Sequence, residues 1–254
     1  MMTALMDVGN TNIVLALHDG SSFVKSFRIH TDQKRTSDEY YAVFQSLLSS
    51  YGIERGEVSK AVVSSVVPNL TRAIEKDMEK LFAVKPLQVS KELETGLEKS
   101  SIPPELGSDL LANLAYAHYN HKERNVMVVD FGTALTFSTV DRKGNVLGVA
   151  ITPGLVTAVN SLFGATAQLP QVELKIPSSA LGRDSQDSIR SGIMLGYAGL
   201  VDKMVEKTEK EIGEDLYVVA TGGLSSTIFP LLTKVNEIDP MHTLKGLLLI
   251  GSLN

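Results

Sequence analysis

Two short segments combine an aspartate, a glycine and small hydroxyl or amide residues where an apolar run stops: Asp7-Val8-Gly9-Asn10-Thr11-Asn12 and Asp130-Phe131-Gly132-Thr133. Glycine lets the backbone turn sharply and brings a peptide N–H close to an anion. Asparagine and threonine add side-chain donors, and a carboxylate such as Asp7 holds a magnesium ion directly or through water. Taken alone, the first segment reads equally well as a hairpin turn whose polar residues satisfy their own backbone. A second aspartate in the matching place of the other half of the chain is harder to explain by turn chemistry. Two such turns facing each other grip a polyphosphate chain and its metal from both sides. A third piece, Ala220-Thr221-Gly222-Gly223, follows another apolar run. Its small residues let a flat purine ring or a phosphate lie against backbone, although a Gly-Gly strand-to-helix connection is common by itself.

The elements that must position these turns follow from pattern. In the first half, strands are expected at Ala4 to Val8, Ile13 to His18 and Phe23 to Arg28, with Asp19-Gly20 as a hairpin signal. Thr36 and Glu39 form a capping box, after which Tyr40, Val43, Phe44, Leu47, Leu48 and Tyr51 fall on one helical face, with Gly52 to end the helix. Ala61 to Val67 reads as a buried strand, Pro68 suits the first turn of a helix through Phe82, and Leu87 to Ser90 closes the half. The second half opens the same way, with strands at Val126 to Val129, Leu135 to Val140 and Val146 to Ile151. A long helix is expected from Ser185 with Ile189, Ile193, Gly196, Leu200 and Met204 as its buried stripe, then a strand at Leu216 to Ala220 and two helical segments. One strand–Asp–Xaa–Gly–turn–strand pattern therefore occurs twice. This predicts an α/β chain of two duplicated domains, 1–118 and 119–254, with a ligand in the cleft between them and the boundary in the polar run near His118 to Asn125.

Composition bounds the rest. The chain has 254 residues, 43% hydrophobic and 21% charged, the profile of a soluble globular protein. It has no cysteine, which excludes disulfides and thiolate metal sites and suits a reducing cytoplasm. A net charge of −5 without a Lys/Arg cluster argues against nucleic acid as a partner. Neither the start of the chain nor Leu244 to Leu253 offers an apolar run long enough for a membrane span, so a soluble, cytoplasmic protein is expected. The five histidines show no metal spacing; His118 and His121 read as solvated or as partners of a helix C-terminus. Ser64-Ser65 lacks the elbow of a serine hydrolase.

Together the three turns resemble the phosphate-1, phosphate-2 and adenosine motifs of the acetate and sugar kinase, actin and chaperone superfamily. A closer resemblance is to the type III pantothenate kinases. It is carried, in order, by Asp7 to Asn12, Ser64-Ser65-Val66-Val67-Pro68, Pro104-Glu105-Leu106-Gly107-Ser108-Asp109, Asp130-Phe131-Gly132-Thr133-Ala134 and Pro153-Gly154-Leu155. Thr166-Ala167-Gln168-Leu169-Pro170, Thr221-Gly222-Gly223 and Thr243-Leu244-Lys245-Gly246-Leu247 complete the set. The resemblance implies two actin-like (ribonuclease H-like) domains with an interdomain nucleotide cleft. It also implies ATP-dependent phosphorylation of pantothenate to 4′-phosphopantothenate, which opens coenzyme A biosynthesis. Asp7, Val8, Gly9, Asn10, Thr11, Asn12, Thr133, Gly222 and Gly223 would then contact ATP, with Asp7 positioning Mg2+. Asp109 falls where the family has the base that takes the proton of the substrate hydroxyl, and Asp130 where it has the ligand of a monovalent cation, K+ or NH4+. Gly107, Ser108, Asp109, Leu110 and Ser185 would line the pantothenate pocket, which a second subunit completes, so a homodimer is implied.

The chain departs from the family pattern in places. Leu110 stands where the family has arginine, and leucine neither pairs with a carboxylate nor donates a hydrogen bond. Ser185 replaces a threonine, Val149 a glycine and Leu135 a threonine. The Leu110 change supports a rival reading: a catalytically weak member that binds nucleotide or metabolite as a regulatory or accessory protein. Retention of Asp7, Asp109 and Asp130 argues against it. Another alcohol kinase, or a phosphatase acting on polyphosphate, is the remaining alternative.

Overall fold

The structure, a computed structural model, describes residues 1–165 and 172–254. The chain forms two compact units, Met1–Tyr116 with Thr243–Asn254, and Ala117–His242. The first holds β1 (Met2–Val8), β2 (Asn12–His18), β3 (Phe23–His30), α1 (Ser37–Ser50), β4 (Val58–Ser65), α2 (Pro68–Phe82) and β5 (Leu87–Gln88). Helix α3 (Ser108–Asn120) leads into the second unit, with β6 (Asn125–Phe131), β7 (Ala134–Val140), β8 (Val146–Pro153) and α4 (Leu155–Ala165). There follow α5 (Ser185–Ile212), β9 (Leu216–Thr221), α6 (Ser225–Ile228), β10 (Glu237–Ile238) and α7 (His242–Leu253).

The two sheets have the same topology, β3-β2-β1-β4-β5 in the first unit and β8-β7-β6-β9-β10 in the second. In each, the first three strands form an antiparallel meander and the last two run parallel to the central strand. This is the duplicated α/β architecture that the repeated opening predicts. Both meanders also carry a register shift at their far end, between Leu17 and His18 and between Thr139 and Val140.

Burial explains the pattern of each sheet. Ala4, Met6, Val8, Ile13, Leu15, Leu17, Ala61 and Val63 pack under Tyr40, Phe44 and Leu48 of α1 and Leu70, Ile74 and Met78 of α2. On the other face Val62 meets α7, whose Gly251 leaves room for its methyl group. Gly246 of α7 lies against the backbone of Ala112 in α3, where no side chain fits. These two helical glycines explain why residues 243–254 join the first unit rather than the second, as the expected division 119–254 had it. In the second unit Met127, Val129, Phe131, Leu135 and Phe137 pack against Leu155 of α4 and Met194, Val201 and Val205 of α5.

Local signals set the helix ends. Thr36 accepts a bond from the Glu39 amide at 3.4 Å, and Glu39 Oε2 accepts one from the Thr36 amide at 2.7 Å, so the capping box is formed. Thr36→Ala is expected to cost about 1 kcal/mol. That would be read as a melting temperature about 2–4 °C lower with catalysis unchanged. On α5 the buried stripe is Arg190, Ser191, Met194, Ala198, Val201 and Val205, one residue on from the expected one. Arg190 Nε donates to Glu173 O at 3.1 Å and Ser191 Oγ to Ala180 O at 2.6 Å, so two polar residues take the inner face and Gly196 is left exposed. Strand β4 ends at Ser65, two residues short of the expected Val67, because Val67 already stands as N-cap of α2. Among the described residues no helix is long and apolar enough to cross a membrane.

Candidate active site

In the first unit the Asp7 turn closes on itself: Gly9 N donates to Asn12 O at 3.0 Å. Behind it stands Thr31, just past the end of β3 and buried. Its amide donates to Thr11 O at 2.8 Å and its hydroxyl to Gly9 O at 2.7 Å. These two bonds occupy turn carbonyls, while Asn10 and Thr11 stay exposed. Asp7 itself is half-buried at the carboxyl end of β1, paired in register with Ser64 of β4.

Ser64 and its neighbour connect that strand end to Asp109. Ser64 Oγ and Ser108 Oγ lie 2.9 Å apart, either hydroxyl donating. Ser108 Oγ also accepts from the Ser65 amide at 3.0 Å and donates to Ser65 O at 3.2 Å. The first residue of α3 is thereby fixed to the end of β4, one register step from Asp7, and Asp109 follows it. Its Oδ1 accepts a bond from Leu110 N at 2.7 Å. A Cβ on Gly107 would come 2.5 Å from that same Oδ1, so a larger residue there would displace the carboxylate. Burial pushes the Asp109 carboxyl above its ordinary value of 3.8, against the downward pull of the Leu110 and Asp109 amides. A carboxylate held in this way is a stronger base than an exposed one. Leu110, at 8% exposure, is buried, as are Leu111 and Leu114 on the same helix.

The second unit repeats the turn and its support. Gly132 N donates to Ala134 O at 3.2 Å. The residue just past the third strand again donates its amide to the turn, Gly154 N to Thr133 O at 2.9 Å, and again a threonine hydroxyl joins it, Thr157 Oγ1 to Thr133 O at 2.7 Å. Gly154 packs so closely on Gly132 and Thr133 that no Cβ fits. Gly132 and Thr133 are exposed. Asp130 pairs in register with Thr136 on one side and Thr221 on the other. Gly222, at φ +89°, closes over it: a Cβ there would lie 2.5 Å from Asp130 Oδ1 and 2.7 Å from the Phe131 backbone. Ser225 holds Gly222, its hydroxyl donating to the Gly222 carbonyl at 2.7 Å.

So Asp7, Gly9 to Asn12, Gly107, Ser108 and Asp109 gather at one end of the first sheet, and Asp130, Thr133, Gly222 and Gly223 gather around the second turn. Ser185 stands on a separate element, exposed in the first turn of α5 after the N-cap Asp184. The motif Thr166 to Pro170 lies outside the described residues. Sequence reading passed over Thr31 and Thr157, whose only signal is their place after the third strand of each repeat. It also left Ser64, Ser65 and Ser108 without their linking role. Of the two readings of His118 and His121, the helix C-terminus fits His118, which stands in the last turn of α3, and both side chains are half-buried rather than fully solvated. Burial lowers the pKa of both, and His121 stacks on Tyr217 at 4.4 Å between ring centroids.

The family model for type III pantothenate kinase matches residues 4–207. A type III pantothenate kinase of Geotalea daltonii is 38% identical over 254 residues, covering 100% of this chain and 99% of that protein. Another, of Pelobacter propionicus, is 39% identical and is covered along 100% of both chains. Among solved structures, the ethanolamine utilization protein EutJ of Carboxydothermus hydrogenoformans superimposes with a TM-score of 0.53. At 15% identity, covering 100% of this chain and 89% of that one, the likeness concerns the fold alone.

Proposed function

Since the chain belongs to the type III pantothenate kinase family, we infer that it transfers the γ-phosphate of ATP to the primary hydroxyl of pantothenate, the step that opens coenzyme A biosynthesis, with Asp109 as the base. The observation that supports the assignment of the base is the attachment of the start of α3, where Asp109 stands, to the end of β4 that pairs with Asp7. Ser108 ties the start of α3 to the strand end that pairs with β1, and burial raises the carboxyl toward the range useful for accepting a proton. Asp109 orients the attacking hydroxyl and accepts its proton as the phosphoryl group is transferred. Gly107, Ser108, Leu110 and Ser185 are the remaining substrate contacts in this reading.

The Asp7 turn, with Val8, Gly9, Asn10, Thr11 and Asn12, binds ATP phosphate through its exposed donors. Thr133, Gly222 and Gly223 are the ATP contacts of the second unit. Magnesium suits Asp7, because that ion takes one or two carboxylates and completes its shell with phosphates and waters. A monovalent cation, K+ or NH4+, suits Asp130, whose Oδ1 has glycine at both 222 and 132, where Cβ atoms would come within 2.5 and 3.6 Å of it. When bound, the two cations offset the negative charge of the phosphates. A homodimer is supported by the apolar side chains that the edge strand β8 and helix α4 leave outside, Ile151 at 68% and Val156 at 49% exposure. A cytoplasmic location is supported by the absence of cysteine, and the net charge of −5 argues against nucleic acid as a partner. The reading of a catalytically weak binding member rests on Leu110 alone, whose buried apolar side chain offers nothing to an anionic substrate.

The test is conversion of pantothenate to phosphopantothenate by the purified protein with ATP and magnesium, with potassium or ammonium present or left out. Product that requires the monovalent cation is the expected result. Product without that requirement would remove the role given to Asp130 and leave the reaction standing. A well-folded protein that forms none would overturn the kinase reading in favour of the binding member.

A further inference from the structure

One polar atom beside the second turn has no partner within the protein. The Oγ1 of Thr136 is buried and makes no hydrogen bond, a condition that native structures rarely leave without an ion or a water. Thr136 stands on β7 directly opposite Asp130 of β6. Residues so paired point to the same face of a sheet, with Cβ atoms about 4.5–5.5 Å apart. That spacing suits two oxygens sharing one ion. Gly222 and Gly132 both approach that carboxylate, since Cβ atoms on them would lie 2.5 and 3.6 Å from Asp130 Oδ1.

We propose that Thr136 supplies a neutral hydroxyl ligand to the monovalent cation at Asp130, an inference that rests on the cation reading of Asp130 above. An alkali cation exchanges its waters for neutral protein oxygens, whereas magnesium dehydrates reluctantly. A hydroxyl opposite a single carboxylate therefore favours the monovalent ion. The ion in turn satisfies an oxygen that the fold otherwise buries without compensation.

Wild type, Thr136→Val, Thr136→Ser and Asp130→Asn are melted with magnesium and a nonhydrolysable ATP analogue, in potassium chloride titrated against choline chloride at constant ionic strength. Wild type is expected to melt higher in potassium. Thr136→Val keeps the branched shape and is expected to weaken the apparent potassium affinity by about tenfold or more. It is also expected to melt above wild type in choline, because a methyl group replaces an unsatisfied hydroxyl. Thr136→Ser should keep the wild-type affinity. Unchanged affinity in Thr136→Val, with the affinity weakened in Asp130→Asn, overturns the proposal and leaves Thr136 holding a water only. A potassium affinity unchanged in Asp130→Asn, or no response in wild type, overturns the parent reading of Asp130 and the shared site with it. Should Thr136→Val fail to fold, Thr136→Ala is read in the same way.

Discussion

Asp109→Asn is expected to lower kcat by about 10²–10⁴-fold while raising the melting temperature. The first effect is the loss of the proposed acceptor of the substrate hydroxyl's proton. The second follows from the direction of the pKa. Burial raises the carboxyl in the folded protein above its unfolded value. A group shifted that way contributes stability only in its protonated form, fully below the unfolded pKa and progressively lost as pH rises through the folded one. At neutral pH the ionised carboxylate therefore weighs against the fold, and asparagine removes the charge while keeping an oxygen for the Leu110 amide. The position in the first turn of α3 offsets part of this, by about 0.3–1 kcal/mol. Each further 1 kcal/mol relieved raises the melting temperature by about 2–4 °C. The same shift places the acid limb of the wild-type kcat/KM profile above that of an ordinary aspartate, since the base works only when ionised. A variant that loses activity and also melts lower would make Asp109 a structural residue. A variant with unchanged kcat would remove it as the base.

The second large effect is expected at Gly222, and it is isolated by comparison with Gly213. Both glycines have positive φ, +89° and +73°, so alanine at either strains the backbone by about 1–2 kcal/mol. They differ in what a side chain would meet. Nothing lies within 4 Å of a Cβ at 213, whereas one at 222 meets Asp130 Oδ1 at 2.5 Å and the Phe131 backbone at 2.7 Å. Backbone on a central strand has no room to yield, so overpacking adds about 1–3 kcal/mol. Gly222→Ala should therefore destabilise by about 2–5 kcal/mol in all, and Gly213→Ala by the strain alone. Thermal melts of the pair give the difference directly. Gly222→Ala should also lose its response to potassium by displacing the Asp130 carboxylate, while Gly213→Ala keeps it. Equal melting temperatures for the two would mean that the second turn is loose around Asp130.

What the sequence displayed and what it hid divide along the range of the interactions. The capping box at Thr36, the proline start of α2 and the twin Asp–Gly turns are local, and each was legible from residues a few positions apart. The stripe on α5 was misjudged by one residue because apolarity was the only guide, and Arg190 and Ser191 are buried through bonds to carbonyls outside the helix. The place of α7 in the first unit depends on Gly246 fitting against α3 and Gly251 against β4, contacts between segments far apart in sequence. Glycine inside a helix was the available signal, since it weakens the helix unless packing calls for it. Of the candidate site, Asp7, Asp130 and the glycines of the three turns stood out by type and spacing, whereas Asp109 and Gly107 were marked only by the family resemblance. Thr31, Thr157 and the Ser64–Ser108 pair did not stand out, because a threonine or serine that ties two loops together looks like any other until the strands are in register.

The register shifts near His18 and Val140 have a consequence for which parts of the meanders tolerate change. Edge strands are ordinarily forgiving, and a slip in one disturbs little beyond its own rim. Here β3 and β8 end on the residues that brace the two turns, Thr31 and Gly154. Between each register shift and its brace the strand acts as a ruler of fixed length. One residue gained or lost within Lys25 to His30 would reverse its alternation and carry the Thr31 hydroxyl away from Gly9. The hairpin tips at Asp19 to Ser22 and Asp141 to Asn145 lie beyond the shifts, where a bulge takes up slack. Length variation in these meanders therefore belongs at the tips, and an indel in either outer strand would silence the site without touching any of its carboxylates.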